Sequence, residues 1–110
     1  MNLALYIPSE ITHEGSLSLD GDVRIDGIFS GSLSTDGVVF IGPNAQFLGS
    51  LECLKAEICG FFKGELRAFQ QVKLEASGSF IGKIDTQYAE VVRGAMFSGL
   101  ANISPSHQDS

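Results

Sequence analysis

Asp20, Asp22 and Asp26 lie close together in the chain, Cys53 and Cys59 are six positions apart, and His13 and His107 sit towards its two ends. Residues of these types make acid–base pairs, metal sites and activated nucleophiles. Two carboxylates divide acid and base roles only when their surroundings set their proton affinities apart. Around Val23 and Ile25 the acids alternate with apolar residues, so a strand would hold them on its exposed face, where a carboxylate is simply solvated. Structural zinc takes about four ligands, and no histidine stands near the two cysteines. No nucleophile-and-base pattern and no phosphate-binding loop is visible. The expectation is a chain without a catalytic centre, a metal or a cofactor.

What the sequence does contain is a repeat. Phe29-Ser30-Gly31-Ser32-Leu33 returns as Phe47-Leu48-Gly49-Ser50-Leu51, Phe62-Lys63-Gly64-Glu65-Leu66 and Phe80-Ile81-Gly82-Lys83-Ile84. A weakened copy follows at Phe97-Ser98-Gly99-Leu100-Ala101, and Gly15-Ser16-Leu17 is an earlier fragment. The glycines are 15 to 18 residues apart, too short for helix pairs and suited to one β-coil per copy. From Leu17 through Leu19, Val23, Ile25, Phe29 and Leu33 the apolar residues keep one parity, the period of a half-buried strand. Parity slips between Leu51 and Ala56 and between Ile84 and Ala89, as coils of odd length require.

No coil of this length can bury its apolar side alone, so the coils must stack, Phe on Phe and Leu on Leu, each pairing its backbone with the next. This predicts an all-β, parallel β-solenoid of about six coils over residues 15–104, with tails at 1–14 and 105–110. Outward positions test the register. Glu52, Arg67 and Asp85 form one column of alternating charge, and Glu57, Lys73 and Glu90 form another. Also outward, Ile28, Leu48, Phe61, Ile81 and Met96 form an apolar stripe, read as a surface covered by the protein's own tail, as a lateral contact with another molecule or a membrane, or as scattered exposure without a role.

At 110 residues there is room for one domain. A net charge of −6 and a pI near 4.6 exclude a nucleic-acid partner, which needs clustered Lys and Arg. The cysteines read as free thiols in a reducing cytoplasm. No apolar run reaches the roughly 20 residues of a membrane helix. In the N-terminal tail Met1, Leu3, Leu5, Tyr6 and Ile7 are apolar, making them a candidate contact with a membrane surface or with the stripe, or simply the start of the first coil, although no Lys or Arg accompanies them. Neither end of the stack shows a polar cap: Leu17 and Leu19 in the first coil and Phe97, Leu100 and Ile103 in the last are the candidate polymerisation interface.

Two other readings compete. A hexapeptide acyltransferase is also a β-solenoid, but only fragments such as Ile41-Gly42 match its aliphatic-plus-Gly period, and no His lies within the coils as read here. A non-polymerising β-solenoid binding module remains the other. The chain most resembles the bactofilins, bacterial cytoskeletal proteins, through Gly21-Asp22-Val23-Arg24-Ile25-Asp26-Gly27 followed by the Phe-x-Gly-x-Leu copies to about residue 101. The resemblance implies a right-handed β-helix of roughly triangular section with flexible tails. It also implies nonpolar, end-to-end filaments formed without nucleotide, and roles in cell shape or in positioning cell-wall enzymes or membrane proteins at the inner face of the cytoplasmic membrane. Family members often attach to membrane by a short apolar N-terminal tail, for which Met1 to Ile7 is the candidate.

Overall fold

The computed structural model describes residues 3–103, and these form ten β-strands and no helix. The elements are β1 (Leu3–Ile7), β2 (Thr12–Leu19), β3 (Asp22–Ile25), β4 (Ile28–Thr35), β5 (Val38–Ile41), β6 (Gln46–Ile58), β7 (Phe61–Leu74), β8 (Ser79–Thr86), β9 (Ala89–Val91) and β10 (Met96–Ile103). Every pairing is parallel, and every partner lies one coil away. An eight-residue strand with the repeat Gly near its middle alternates with a four-residue strand, as in β4 and β5. In β6 and β7 the two merge across a corner. The result is a solenoid of six coils.

The repeat Gly bends each long strand. Gly15, Gly31, Gly49, Gly64, Gly82 and Gly99 all have φ between +123° and +138°, a region open at no cost only to Gly. Each stacks on the one before, and from Gly31 onward an added Cβ would overlap the carbonyl oxygen of the previous Gly. The bend splits each coil into three straight runs, which makes the section three-sided.

The irregular period resides in the other corners. The turns Pro8–Ile11, Gly42–Ala45, Glu75–Gly78 and Val92–Ala95 are each closed by an amide-to-carbonyl bond of 2.8–3.0 Å. Asp26-Gly27 and Cys59-Gly60 serve the same corner in the second and fourth coils with two residues. The corner opposite shrinks to Leu54 in the shortest coil, where the β6–β7 register shifts between Cys53 and Lys55. Corners take up most of the difference, and in the last coil the three-residue β9 takes up the rest.

The core is a set of columns. Phe29, Phe47, Phe62 and Phe80 are fully buried, their rings stacked at 4.7–4.9 Å and within 14° of parallel. Such contacts add about 0.5–1.5 kcal/mol each beyond burial. Leu33, Leu51, Leu66 and Ile84 form a second column, and Ile7, Ile25, Ile41, Ile58 and Leu74 a third. Thr35 and Thr86 are buried in a fourth, and the Thr35 hydroxyl donates to the Gly21 carbonyl.

One expectation needs correction. Residues 1–14 were expected as a tail, with the start of the first coil as the alternative for Met1 to Ile7; Leu5, Tyr6 and Ile7 pair with Val23, Arg24 and Ile25, and Ile7 is buried in the core, so the alternative holds. Leu5-Tyr6-Ile7 has the same alternation as Val23-Arg24-Ile25 and Val39-Phe40-Ile41, so it forms the first run of the first coil. The expected tail of 105–110 and Met1 lie outside the described residues.

Candidate functional site: the two ends and the outer stripe

Inside the stack every strand is hydrogen-bonded on both edges. At the ends this fails among the described residues: β1 pairs only with β3, β2 only with β4, β9 only with β7 and β10 only with β8. Each terminal coil therefore presents a free backbone edge together with the cut section of the core, the combination that recruits further strands.

At the N-terminal end Leu17 and Leu19 are half-buried and pack against the core, as does Leu5. The Phe column does not stop at Phe29. His13 aligns with it, and the two rings stack at 5.2 Å and 4°. The sequence reading placed His13 in a tail and missed it. The available signal was His13-Glu14-Gly15-Ser16-Leu17, an aromatic ring two places before the repeat Gly.

The C-terminal end is more open. Phe97 closes the ring column but tilts by 36° against Phe80. Val91 and Ile103, which continue inward columns, are 55% and 46% exposed. Leu100 behaves differently from the expectation. It aligns with Lys83, an exposed outward residue, while Ala101 takes the inward place aligned with Ile84. Leu100 thus lies on the flank beside the end, and the core section there is Val91, Phe97, Ala101 and Ile103.

The apolar stripe occupies two adjacent columns rather than one. Ile28, Phe61 and Met96 stand in the column that also holds Gln46 and Ser79, while Leu48 and Ile81 share theirs with Ser30 and Lys63. Each of coils two to six contributes one apolar residue, and the stripe zigzags. Exposure rises along it to 40% at Ile81 and 67% at Met96. With Leu5 and Ile7 built into the first coil, residues 5–7 are not free to cover the stripe or to enter a membrane surface. Tyr6, half-exposed, stands outward in the column of Arg24, whose guanidinium lies 4.7 Å over the Phe40 ring.

The chemistry-bearing residues are dispersed. Asp22 accepts from the Val38 amide and Asp26 from Arg24 Nε, each at 3.0 Å, and Asp20 is exposed. Burial pushes the Cys53 thiol up to about 12, and burial, then Glu57 and Glu75, also raise Cys59. A thiol held protonated is a poor nucleophile and a poor ligand. Among the described residues no group of three or more His, Cys, Asp and Glu could hold a metal ion. The charge columns have the expected register: Glu52, Arg67 and Asp85 align, as do Glu57, Lys73 and Glu90. Arg67 reaches Glu52 at 4.0 Å, whereas Lys73 pairs with Glu75 at 3.5 Å. Among the described residues no helix is long and apolar enough to cross a membrane.

Comparison with known proteins agrees with this geometry. The family model described as "Bactofilin: Polymer-forming cytoskeletal" matches residues 5–102. Bactofilin BacO of Myxococcus xanthus is 27% identical over 93 residues, which are 84% of this chain and 74% of that protein. Bactofilin of Thermus thermophilus, solved by electron cryo-microscopy as double helical filaments, is 32% identical. It superposes with a TM-score of 0.83 and covers 87% of this chain and 95% of its own.

Proposed function

We propose, from the premise that this chain belongs to the bactofilin family of polymer-forming cytoskeletal proteins, that it is a structural scaffold that joins end to end into nonpolar filaments without nucleotide. The observation that carries this reading is the pair of ends that, among the described residues, are uncapped, each offering free strand edges and apolar core residues while the middle of the stack is satisfied. Leu17, Leu19 and His13 form one junction surface, and Phe97, Ala101, Ile103 and Val91 the other. The zigzag stripe from Ile28 to Met96 is the surface for a lateral neighbour, and the double helical filaments of the Thermus relative support this assignment.

No catalytic role is assigned. The filaments act in the cytoplasm, at the inner face of the membrane, supporting cell shape or positioning cell-wall or membrane proteins. Electron microscopy of the purified chain without added nucleotide tests the central claim. Long filaments are expected, and a population of single rods at high concentration would overturn it. In the same preparation Phe61→Asp is expected to leave single filaments end-joined but unpaired.

A further inference from the structure

Five phenylalanines and one histidine make up the ring column, and the histidine closes it at the N-terminal end. His13 keeps the spacing and parallel attitude of the phenylalanines. Because β2 pairs only with β4, the other face of the imidazole is part of the end surface. Its Nδ1 is buried with no hydrogen-bond partner.

An imidazole substitutes for a benzene ring in an apolar column only while it is neutral. A second proton turns the acceptor nitrogen into a donor and places a full charge on the ring. A buried donor without an acceptor costs about 1–3 kcal/mol, and more when charged. Nothing in the column answers that charge. The inward residues around it, Leu5 and Ile7 on β1, Val23 and Ile25 on β3, Phe29 on β4 and Leu17 on β2, are all apolar. The titratable groups on these strands belong to the opposite parity: Tyr6 on β1, Asp22 and Arg24 on β3, and Glu14 on β2. Arg24 is paired with Asp26 in the corner beyond, and Asp22 is bonded to the Val38 amide.

We infer that His13 makes the N-terminal junction between two copies of this chain acid-labile, the neutral ring accepting the apolar end of a second copy and the protonated ring refusing it. The inference rests on the end-to-end reading above. By linkage, a junction that accepts only the neutral ring is weakened as protons are added, so lowering the pH favours opening. Among the described residues the C-terminal end, closed by Phe97, has no such group in its ring column. Acid therefore breaks one class of junction and leaves the other.

The test compares wild type with His13→Phe, which restores the column residue, by sedimentation and electron microscopy at about pH 8 and about pH 5.5 at constant ionic strength, with circular dichroism as the fold control. Wild type is expected to lose roughly fivefold or more of its pelleted fraction in acid, leaving pairs joined at their C-terminal ends, while His13→Phe keeps its filaments. Equal loss in both proteins, or no loss in wild type, overturns the inference while leaving end-to-end assembly intact. Absence of filaments from both at pH 8 removes the assembly premise and the inference with it.

Discussion

His13 and Phe97 close the same column at opposite ends of the stack, yet the two ends are not equivalent. In the first coil Ile7 is 2% exposed, whereas Val91, the last member of the same column, is 55% exposed. At the C-terminal end Ile103 is exposed as well. Burying apolar surface is worth about 25 cal/mol per Å², so the C-terminal end has more to gain from a partner. It should form the stronger junction, and the N-terminal end the adjustable one.

Phe97→Arg is the substitution with the largest expected effect. A charge forced into the C-terminal junction without a partner costs several kcal/mol, so filaments should vanish from electron micrographs while the β-sheet circular dichroism persists. If filaments survive, the two ends are wrongly ranked. Phe62→Ala and Phe97→Ala separate interior from end. The fully buried Phe62 should cost about 3–5 kcal/mol in chemical denaturation, and half-buried Phe97 clearly less, since part of its cavity already opens to solvent. Equal costs would mean that Phe97 is covered in the isolated molecule.

A milder change sharpens the asymmetry from the other side. Ala101→Leu restores the residue type of its column and adds apolar surface at the C-terminal end, so the critical concentration for assembly should fall, by about 1–2 kcal/mol of junction free energy. Light scattering against concentration reads this directly, and a rise would show that Ala101 must be small for the ends to meet. The smallest effect belongs to the flank. A hydrogen bond to Glu75, then partial burial and the charge of Glu75, hold the Glu57 carboxyl above its ordinary value, with Lys73 opposing. A raised carboxyl favours the folded state below its unfolded value and loses that contribution as pH rises through the folded one. Glu57→Gln should therefore flatten the slight decline in melting temperature across that window and leave assembly unchanged.

How much of this was readable beforehand depended on whether a column kept its residue type. Phe29, Phe47, Phe62 and Phe80 did, and they fixed the register from which the charge columns were drawn correctly. The first coil changes its ring to His13, and its opening strand, Leu5 to Ile7, lies before any Gly of the repeat. The start of the first coil was one of three readings open for that strand, and the pairing with Val23 and Ile25 decides for it. The last coil misled in the opposite sense. Leu100 stands one place before the column position that Ala101 fills, and a parity shift of one residue moves a side chain from the core to the outside. The stripe differs in form from the single line expected, because its residues stand one or three places before the repeat Gly and so occupy two columns. None of the acids, thiols or imidazoles could be placed by type alone. The fold uses them as turn acceptors, column fillers and an end ring.

The corners carry a different consequence. Four-residue turns at Pro8–Ile11, Gly42–Ala45, Glu75–Gly78 and Val92–Ala95 lie on the same edge of the prism as the two-residue corners Asp26-Gly27 and Cys59-Gly60. That edge already tolerates insertion and deletion without disturbing a column. It is the natural place for the gene to vary, and the place where a peptide or a fluorophore could be spliced into every copy, decorating a filament along one line at the molecular repeat.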